Sequence, residues 1–377
     1  MLYLPILSRF IGTKNMTFSI NLSVARLSYA NLFILTLALS TPLTFAFAGS
    51  RAIDHAPIGV MADHMHKSGE WMVSARQMRM EMKSNKIGRN KVSDSQILQI
   101  ANMHEGPATL KVVPQNMTMD MTMLGVMFAP SDDITLMMMT NYTQKKMTAN
   151  TYAMMGNAKL GSFTTRSEGL GDTTIAALFN ISALPKGEHG KWHGSFGVSL
   201  PTGSLKEVDT ILTPMNTNQV ARLPYAMQLG SGTYDLKPSL TYTADTGDYV
   251  YGGQLNATLR LDDNRQGYAL GNEVDAKTWM MKSFSDQFSG SLRLECRRSG
   301  TIDGQDPQID KPIQSAQTQM YGGSLVNFAI GFNFIGHHGW FSGHRLAFEI
   351  QKPVYEDLNG PQMSRDTSFN FGYQKAW

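Results

Sequence analysis

Apolar and polar residues alternate in short runs along most of the chain from residue 70 onward. Between residues 249 and 261, Tyr251 and Leu255 fall on one face, and Gln254 and Asn256 fall on the other. Period-two alternation is typical of a β-strand whose two faces meet different surroundings. With the turn signals between the runs, the pattern predicts about twelve strands, at 70–82, 117–129, 134–147, 173–184, 192–201, 234–243, 249–261, 273–283, 288–297, 324–335, 344–353 and 367–377.

The connections between these predicted strands are alternately long and short. The long ones are 83–116, 148–172, 202–233, 262–272, 298–323 and 354–366, and the short ones are 130–133, 185–191, 244–248, 285–287 and 336–343. Outer-membrane barrels have short periplasmic turns and longer extracellular loops, whereas soluble sandwiches and propellers do not sort their loops in this way. The sequence therefore predicts an all-β fold, an antiparallel transmembrane β-barrel of about 12 strands (10–14), in a Gram-negative outer membrane.

The amino-terminal residues 1–48 have the pattern of a secretory signal. They carry Arg9, Lys14 and Arg26, no acidic residue, an apolar run at 32–39 and small residues at 46–48. That run is too short for a membrane-anchoring helix, so we expect cleavage before Gly49. Without these residues the chain has 30 basic and 30 acidic residues, and its charge points to no nucleic-acid partner. We expect residues 49–69 to form a Met/His-rich periplasmic or plug-like segment, and 70–377 the barrel.

The last predicted strand is rich in aromatic residues. Phe369, Phe371, Tyr373 and Trp377 fall on one face, as expected of a strand that closes a barrel with its aromatic side chains toward outer-membrane lipid. This stretch also resembles the carboxy-terminal signal that the outer-membrane barrel assembly machinery reads. Lipid and that machinery are therefore the expected partners.

The polar faces of the predicted strands would be costly in hydrocarbon, so they should line the lumen. The lumen-lining candidates for a solute pathway are His193, Asp235, Lys237, Asn256, Arg260, Arg293, Glu295, Arg297, Asn333, Arg345 and Glu349. Charges of both signs occur, so the set gives no basis for predicting ion selectivity.

Methionine is unusually frequent, with 18 of 26 residues lying between Met61 and Met155. His64, Met65 and His66 form a candidate metal site, because thioether and imidazole groups suit soft ions such as Cu(I). The alternative is that methionine fills space as an adaptable apolar side chain.

Two predicted strands bear on that choice. Asp120 would be costly against lipid, so we expect it to point inward and the methionines on the opposite face of its strand to point outward; these are Met117, Met119, Met121, Met123 and Met127. Met137 and Met139 should face inward beside Asn141.

Motifs for catalysis are weak. His193 and Ser195 share one strand face, but no acidic third member of a triad can be assigned. We therefore expect no enzymatic activity and no obligate cofactor. The leading hypothesis is a channel for passive passage of small molecules. The alternatives are a copper-binding outer-membrane protein that acts through its Met/His segment, and a structural barrel with a filled lumen.

Several turn motifs carry a family resemblance. They read MADHMH at 61–66, TTRSEGLGD at 164–172, LPTGS at 200–204, LGSGTYD at 229–235 and PVYEDLNGP at 353–361. The set resembles the "MetA-pathway of phenol degradation" family of outer-membrane proteins, whose members are often labelled simply transporters. The resemblance covers about 61–377 and implies an outer-membrane β-barrel that passes small hydrophobic or aromatic compounds.

Overall fold

The computed structural model describes residues 51–182, 184–185 and 187–377 of the chain, so the predicted signal segment lies outside the described residues. The strands, in chain order, are β1 (Trp71–Gly88), β2 (Asn90–Val92), β3 (Val112–Ser131), β4 (Ile134–Tyr152), β5 (Lys159–Leu170), β6 (Thr173–Asn180), β7 (Gly190–Leu200), β8 (Val208–Leu212), β9 (Asn218–Arg222), β10 (Asp235–Asp245), β11 (Tyr249–Arg260), β12 (Tyr268–Ala269), β13 (Glu273–Ser285), β14 (Phe288–Ser299), β15 (Asp303–Gly304), β16 (Gly323–Ile335) and β17 (His344–Ala376).

Helix is scarce in the described residues. The helical elements are α1 (Asp94–Ile97) and short 3₁₀ turns at Ala52–Asp54, Tyr225–Met227, Gln314–Ala316, Thr318–Met320 and Gly339–Phe341. Across the described ranges, no helix has the length and apolar character needed to cross a bilayer.

Eleven of the described strands form a closed antiparallel ring. The order around it is β1, β3, β4, β6, β7, β10, β11, β13, β14, β16 and β17, and pairing of β17 with β1 closes the ring. Two further strands, β2 and β5, pair onto it from outside the ring, and β8–β9 and β12–β15 form two small separate sheets. The predicted all-β antiparallel barrel is confirmed.

The last strand, β17, crosses the barrel wall twice. Its first part pairs with β16 as far as Leu358, and its second part pairs with β1 from Leu358 onward. Thirty-three residues in one straight strand would span about 110 Å. The Tyr373 hydroxyl instead lies 2.9 Å from Nδ1 of His344, so the strand folds back on itself. The wall is thus crossed twelve times, and the predicted strands 344–353 and 367–377 are both present.

Inward and outward faces follow the predicted alternation in most strands. On β16, the outward Phe328, Ile330 and Phe332 are exposed, whereas the inward Asn327 and Asn333 are buried. On the second part of β17, Phe369 and Phe371 point outward as predicted. An apolar outer wall with a polar interior is the arrangement of a barrel surrounded by lipid.

The predicted orientation of β3 was wrong. Met117 and Met127 are buried, Leu124 on the other face is exposed, and the strand pairs continuously with β1 in between, so its methionines point inward and Asp120 points outward. Asp120 lies nine residues from Ala129, which is next to the short turn. At about 3.3 Å per residue and a strand tilt of about 40°, the height of Asp120 above that turn is about 23 Å. This height is at the edge of an apolar band about 25 Å tall. Asp120 also has a cationic neighbour, Arg79, at 3.5 Å.

The end of the barrel that carries the long loops is covered by an apolar cluster. Residues from these loops pack on Met117 and Met147 of the wall; they include Leu223, Tyr225, Met227, Tyr268, Ile309 and Ile313. We call this group the loop cap. The long connections therefore supply a small hydrophobic core of their own above the barrel.

Candidate functional site

Residues 51–66, here called the internal segment, lie inside the ring. Arg76 on β1 donates to the carbonyl oxygen of Ile58 at 2.7 Å, and Gln254 on β11 donates to that of Met61 at 2.8 Å. Four more wall residues contact main-chain oxygens of the segment: His193 (β7), Ser289 (β14), Asn333 (β16) and Arg345 (β17). Because these residues come from strands all around the ring, the segment they hold occupies the lumen.

These contacts follow from the local sequence. Apart from the 3₁₀ turn at Ala52–Asp54, the internal segment has no regular secondary structure, so its buried carbonyl groups need partners from elsewhere. The inward amide and guanidinium groups supply them. Ile53 and Val60 of the segment pack on Trp279 and Met281 of β13. The segment is thus anchored by both polar and apolar contacts.

Four of the predicted lumen residues form one buried ion-pair cluster. Arg293 donates through two nitrogens to Glu349, at 2.9 and 2.7 Å, and through a third to Glu295 at 2.8 Å. Arg297 donates to the other oxygen of Glu295 at 2.8 Å. Gly59 of the internal segment passes so close that a Cβ there would collide with Arg293 and Glu349. The cluster thereby fixes where the segment crosses the lumen.

The remaining predicted lumen residues fall into smaller groups. Asp235 accepts hydrogen bonds from Arg260 and from Thr233. Asn256 donates to Asp275 at 3.0 Å, and Arg345 donates to Asn333 at 2.7 Å. His193 contacts Ala62, and Lys237 is half-buried on the inward face of β10. Ser195 bonds Ser239 rather than His193, so the pair forms no catalytic dyad.

Sequence reasoning missed several inward residues that contact the segment or the lumen. Arg76, Gln254 and Asp275 are the most prominent, and Lys277 lies 2.8 Å from Asp275. The alternation of β1 and β11 places Arg76 and Gln254 on the inward face. The alternation is therefore a signal that could have identified both residues as inward, but nothing in the sequence indicates which groups Arg76 and Gln254 bind.

A ladder of methionines covers one arc of the inner wall. Inward methionines of β1, β3 and β4 lie opposite each other in two three-strand rows, Met72–Met127–Met137 and Met82–Met117–Met147, and in two pairs between these rows, Met78–Met121 and Met80–Met119. Directly paired side chains on one sheet face have Cβ atoms about 4.5–5.5 Å apart. The prediction that Met137 and Met139 face inward is confirmed.

The middle of the lumen is less filled than its ends. Several inward side chains at this height are partly exposed, whereas Thr143 and Glu295 at the same height are buried; the partly exposed ones include Met78, Met80, Met119, Met121, Asn141, Lys237 and Asn256. Inward side chains beside the internal segment or the loop cap, such as Trp279 and Met147, are buried. Some accessible space therefore remains beside the partly exposed side chains, with thioethers on one arc and charged or amide groups on the other.

The histidines of the internal segment meet in one cluster. His64 packs edge to face against both His55 and His66, each with ring centroids 4.8 Å away. Ligand atoms of His55, Asp63 and His64 all lie within 4.8 Å of one another. Burial lowers the pKa of His55 well below its ordinary value and that of His66 to about 4. Both imidazoles are therefore neutral at neutral pH, the form that binds metals.

Met65 is separated from this chemistry. It packs with Ala62 and Met137 against the apolar cluster of Met72, Met127 and Leu178. Of the predicted metal site, the structure brings His64 and His66 together, adds His55 and Asp63, and places Met65 among apolar side chains.

Three of the turn motifs converge at one junction in the wall. The Asp172 carboxylate accepts hydrogen bonds from the main-chain nitrogens of Gly203 and Ser231, at 2.9 and 2.7 Å. A Cβ on Gly203 would collide with the backbone of Gly230, so this close approach requires glycine. The motifs at 164–172, 200–204 and 229–235 therefore form one structural unit where β5 gives way to β6.

The closed ring, its apolar exterior and its sorted loops define the fold of an outer-membrane β-barrel. The structure is similar to the crystal structure of an outer-membrane channel from Pseudomonas putida F1, with a TM-score of 0.55, 14% identity, and 84% of this chain and 98% of that chain covered. It also matches the β domain of the Bordetella autotransporter BrkA, with a TM-score of 0.45, 8% identity, and coverage of 82% and 100%.

No model of a protein family matches the chain, and no curated protein does. The resemblance to the phenol-degradation family is therefore unconfirmed. The likeness to the Pseudomonas channel is at the level of the fold.

Proposed function

We propose that this protein resides in the outer membrane, after export by a cleaved signal at residues 1–48, and passes small molecules by passive diffusion. The observation that carries the proposal is the set of partly exposed inward side chains between the internal segment and the loop cap. A barrel that served only as a scaffold would have no need of an accessible, chemically two-sided interior. The predicted lumen residues Lys237, Asn256 and Arg260 would line the polar side of the pathway.

The two-sided lumen favours solutes with both apolar and polar parts. Thioethers make favourable contacts with aromatic rings, and the methionine ladder provides many of them on one arc. Amide and charged groups on the opposite arc can bind hydroxyl or carboxyl substituents. The family resemblance implies the same class, small hydrophobic or aromatic compounds.

The internal segment acts in this proposal as a plug that must shift for solute to pass. It is attached mainly by hydrogen bonds and side-chain packing rather than by strand pairing, so it can detach without disturbing the ring. Local opening of weakly held elements is a common property of ligand-gating segments.

The test is flux through the purified mature protein in proteoliposomes, with swelling assays for sugars and for phenol-like solutes. We expect uptake that falls with solute size, and faster uptake when the plug is loosened by Arg76→Met. If neither protein admits any solute while both remain folded barrels, the lumen is filled and the protein is structural. That result would reject the channel.

A further inference from the structure

We propose that His55, Asp63 and His64 bind one divalent transition-metal ion of the Zn²⁺ or Cu²⁺ class, with His66 as the fourth ligand. These four side chains all belong to the internal segment, inside the barrel. The proposal concerns binding alone and does not depend on whether solutes cross the lumen.

The first argument is geometry. In a tetrahedral zinc site, bond lengths of about 2.0–2.2 Å place neighbouring ligand atoms about 3.4 Å apart. Nδ1 of His64 lies 3.0 Å from Oδ2 of Asp63, and the ligand atoms of His55, Asp63 and His64 all lie within 4.8 Å of one another. Side-chain rotations that move each ligand atom by about 1 Å would bring all three atoms within bonding distance of a single ion.

The second argument is unsatisfied hydrogen bonding. Three buried imidazole nitrogens in this cluster have no hydrogen-bond partner among the described residues: Nδ1 of His55, Nε2 of His64 and Nε2 of His66. Buried polar atoms are nearly always paired, and each exception needs a reason. Three such exceptions, one on each of three adjoining rings, are accounted for together by one shared cation.

The third argument is the set of contacts that orient the ligands. Asp63 accepts a hydrogen bond from the main-chain nitrogen of Ala56 at 2.9 Å. Nδ1 of His66 lies 3.4 Å from the Glu70 carboxylate, and the unpartnered Nε2 belongs to a ring that packs against His64 with centroids 4.8 Å apart. A carboxylate behind a metal-binding histidine fixes its tautomer and raises its basicity. Glu70 is therefore a positioning residue for His66.

The donor set decides the class of ion. Three imidazoles and one carboxylate suit Zn²⁺ or Cu²⁺, whereas Cu⁺ prefers thioether and thiolate ligands. Met65 packs into an apolar cluster, so it does not complete a soft-ion site. A bound ion would link His55 to His64 across nine positions of the chain and so hold the internal segment in its folded form.

The test is Zn²⁺ binding to the full mature protein in detergent, measured by metal analysis after dialysis and by competition with a chelating dye. We expect one Zn²⁺ per chain in the wild type. His64→Gln should weaken binding more than about 100-fold, because losing even an outer-shell partner costs about 10–100-fold. Glu70→Gln, which leaves every ligand in place, should weaken binding about 10–100-fold.

A matched control is His104→Gln, since His104 is a histidine of the long loop between β2 and β3 that bonds Ala316 and Gln305. It should bind Zn²⁺ like the wild type. Zinc-edge absorption spectra should display nitrogen and oxygen neighbours with imidazole scattering. Equal affinities in His64→Gln and wild type, or a sulfur shell in the spectrum, would overturn the proposal. Retained strand content by circular dichroism identifies variants that are properly folded.

Discussion

Nη1 of Arg76 donates to the carbonyl oxygen of Ile58 at 2.7 Å, which connects the wall of the barrel to the segment inside it. The same nitrogen lies 3.2 Å from the carbonyl oxygen of Val60 and 2.7 Å from the sulfur of Met61. One side chain of β1 therefore contacts three residues of the segment, Ile58, Val60 and Met61. Among the described wall residues, no other has hydrogen bonds to as many residues of the segment.

Replacing this contact should loosen the segment. In Arg76→Met the apolar stem is retained and the charged donor is lost. Hydrogen bonds to charged groups contribute about 1.5–3 kcal/mol, so the released population should rise about tenfold or more. Single-channel recordings should register this as more frequent or larger openings. The control is Arg79→Met on the same strand, whose side chain points outward and is half exposed. Identical recordings from the two variants would contradict the proposal that the internal segment is a plug held by Arg76.

The close passage of Gly59 gives a second prediction. A methyl group at this position would collide with Arg293 and Glu349 in the buried ion-pair cluster. Overpacking of a filled site costs about 1–3 kcal/mol, so Gly59→Ala should lower the free energy of unfolding by that amount. Urea titration in detergent, followed by tryptophan fluorescence, measures it.

Gly253→Ala is the matched control for that experiment. The nearest atom to an added Cβ at Gly253 is the main-chain oxygen of Lys277, 3.8 Å away, and Gly253 does not have a positive φ. We expect a change under about 0.5 kcal/mol. Equal losses in the two variants would mean that Gly59 is not confined by the cluster.

The strands and their spacing could be predicted from the sequence because alternation is a local property. Each predicted strand has a counterpart in the ring, and the two halves of β17 were predicted as separate strands. The orientation of β3 could not be predicted in the same way. The sequence pattern predicts that Asp120 lies within the lipid-facing height, but β3 is 20 residues long and carries that side chain to the edge of the apolar band.

The candidate site was predictable only in part, for a similar reason. His64 and His66 are neighbours in the sequence, so their clustering was expected. The approach of His55 depends on how the internal segment bends inside the lumen, and that bend is set by donors from distant strands such as Arg345 and Asn333. Pairings across hundreds of residues leave no local pattern to read.

The orientation of the methionine ladder gives a third prediction. In a Cys296→Ser background, which removes the only cysteine, Met121→Cys places a thiol in the lumen and Met138→Cys places one on the lipid face. A charged, membrane-impermeant thiosulfonate should modify Met121→Cys at least about tenfold faster in proteoliposomes, because the reactive thiolate is disfavoured in apolar surroundings. Faster labelling of Met138→Cys would contradict the inward orientation of the ladder and indicate that its methionines face the lipid.

Depth in the membrane gives the final prediction. Ile330 on β16 points outward and lies five residues from the short-turn end of the strand, so it should lie about 13 Å above that end, near the bilayer midplane. Arginine there costs about 2–4 kcal/mol, falling to about 0–1 kcal/mol near the interface. Val354 on β17 is 63% exposed and lies ten residues from the start of its strand, close to the upper edge. Ile330→Arg should therefore destabilise the barrel in lipid vesicles far more than Val354→Arg does, as measured by reversible denaturant titration. Equal costs for the two substitutions would show that the cost of arginine does not depend on its height along the outer wall. The membrane-spanning orientation derived from the loops would then be wrong.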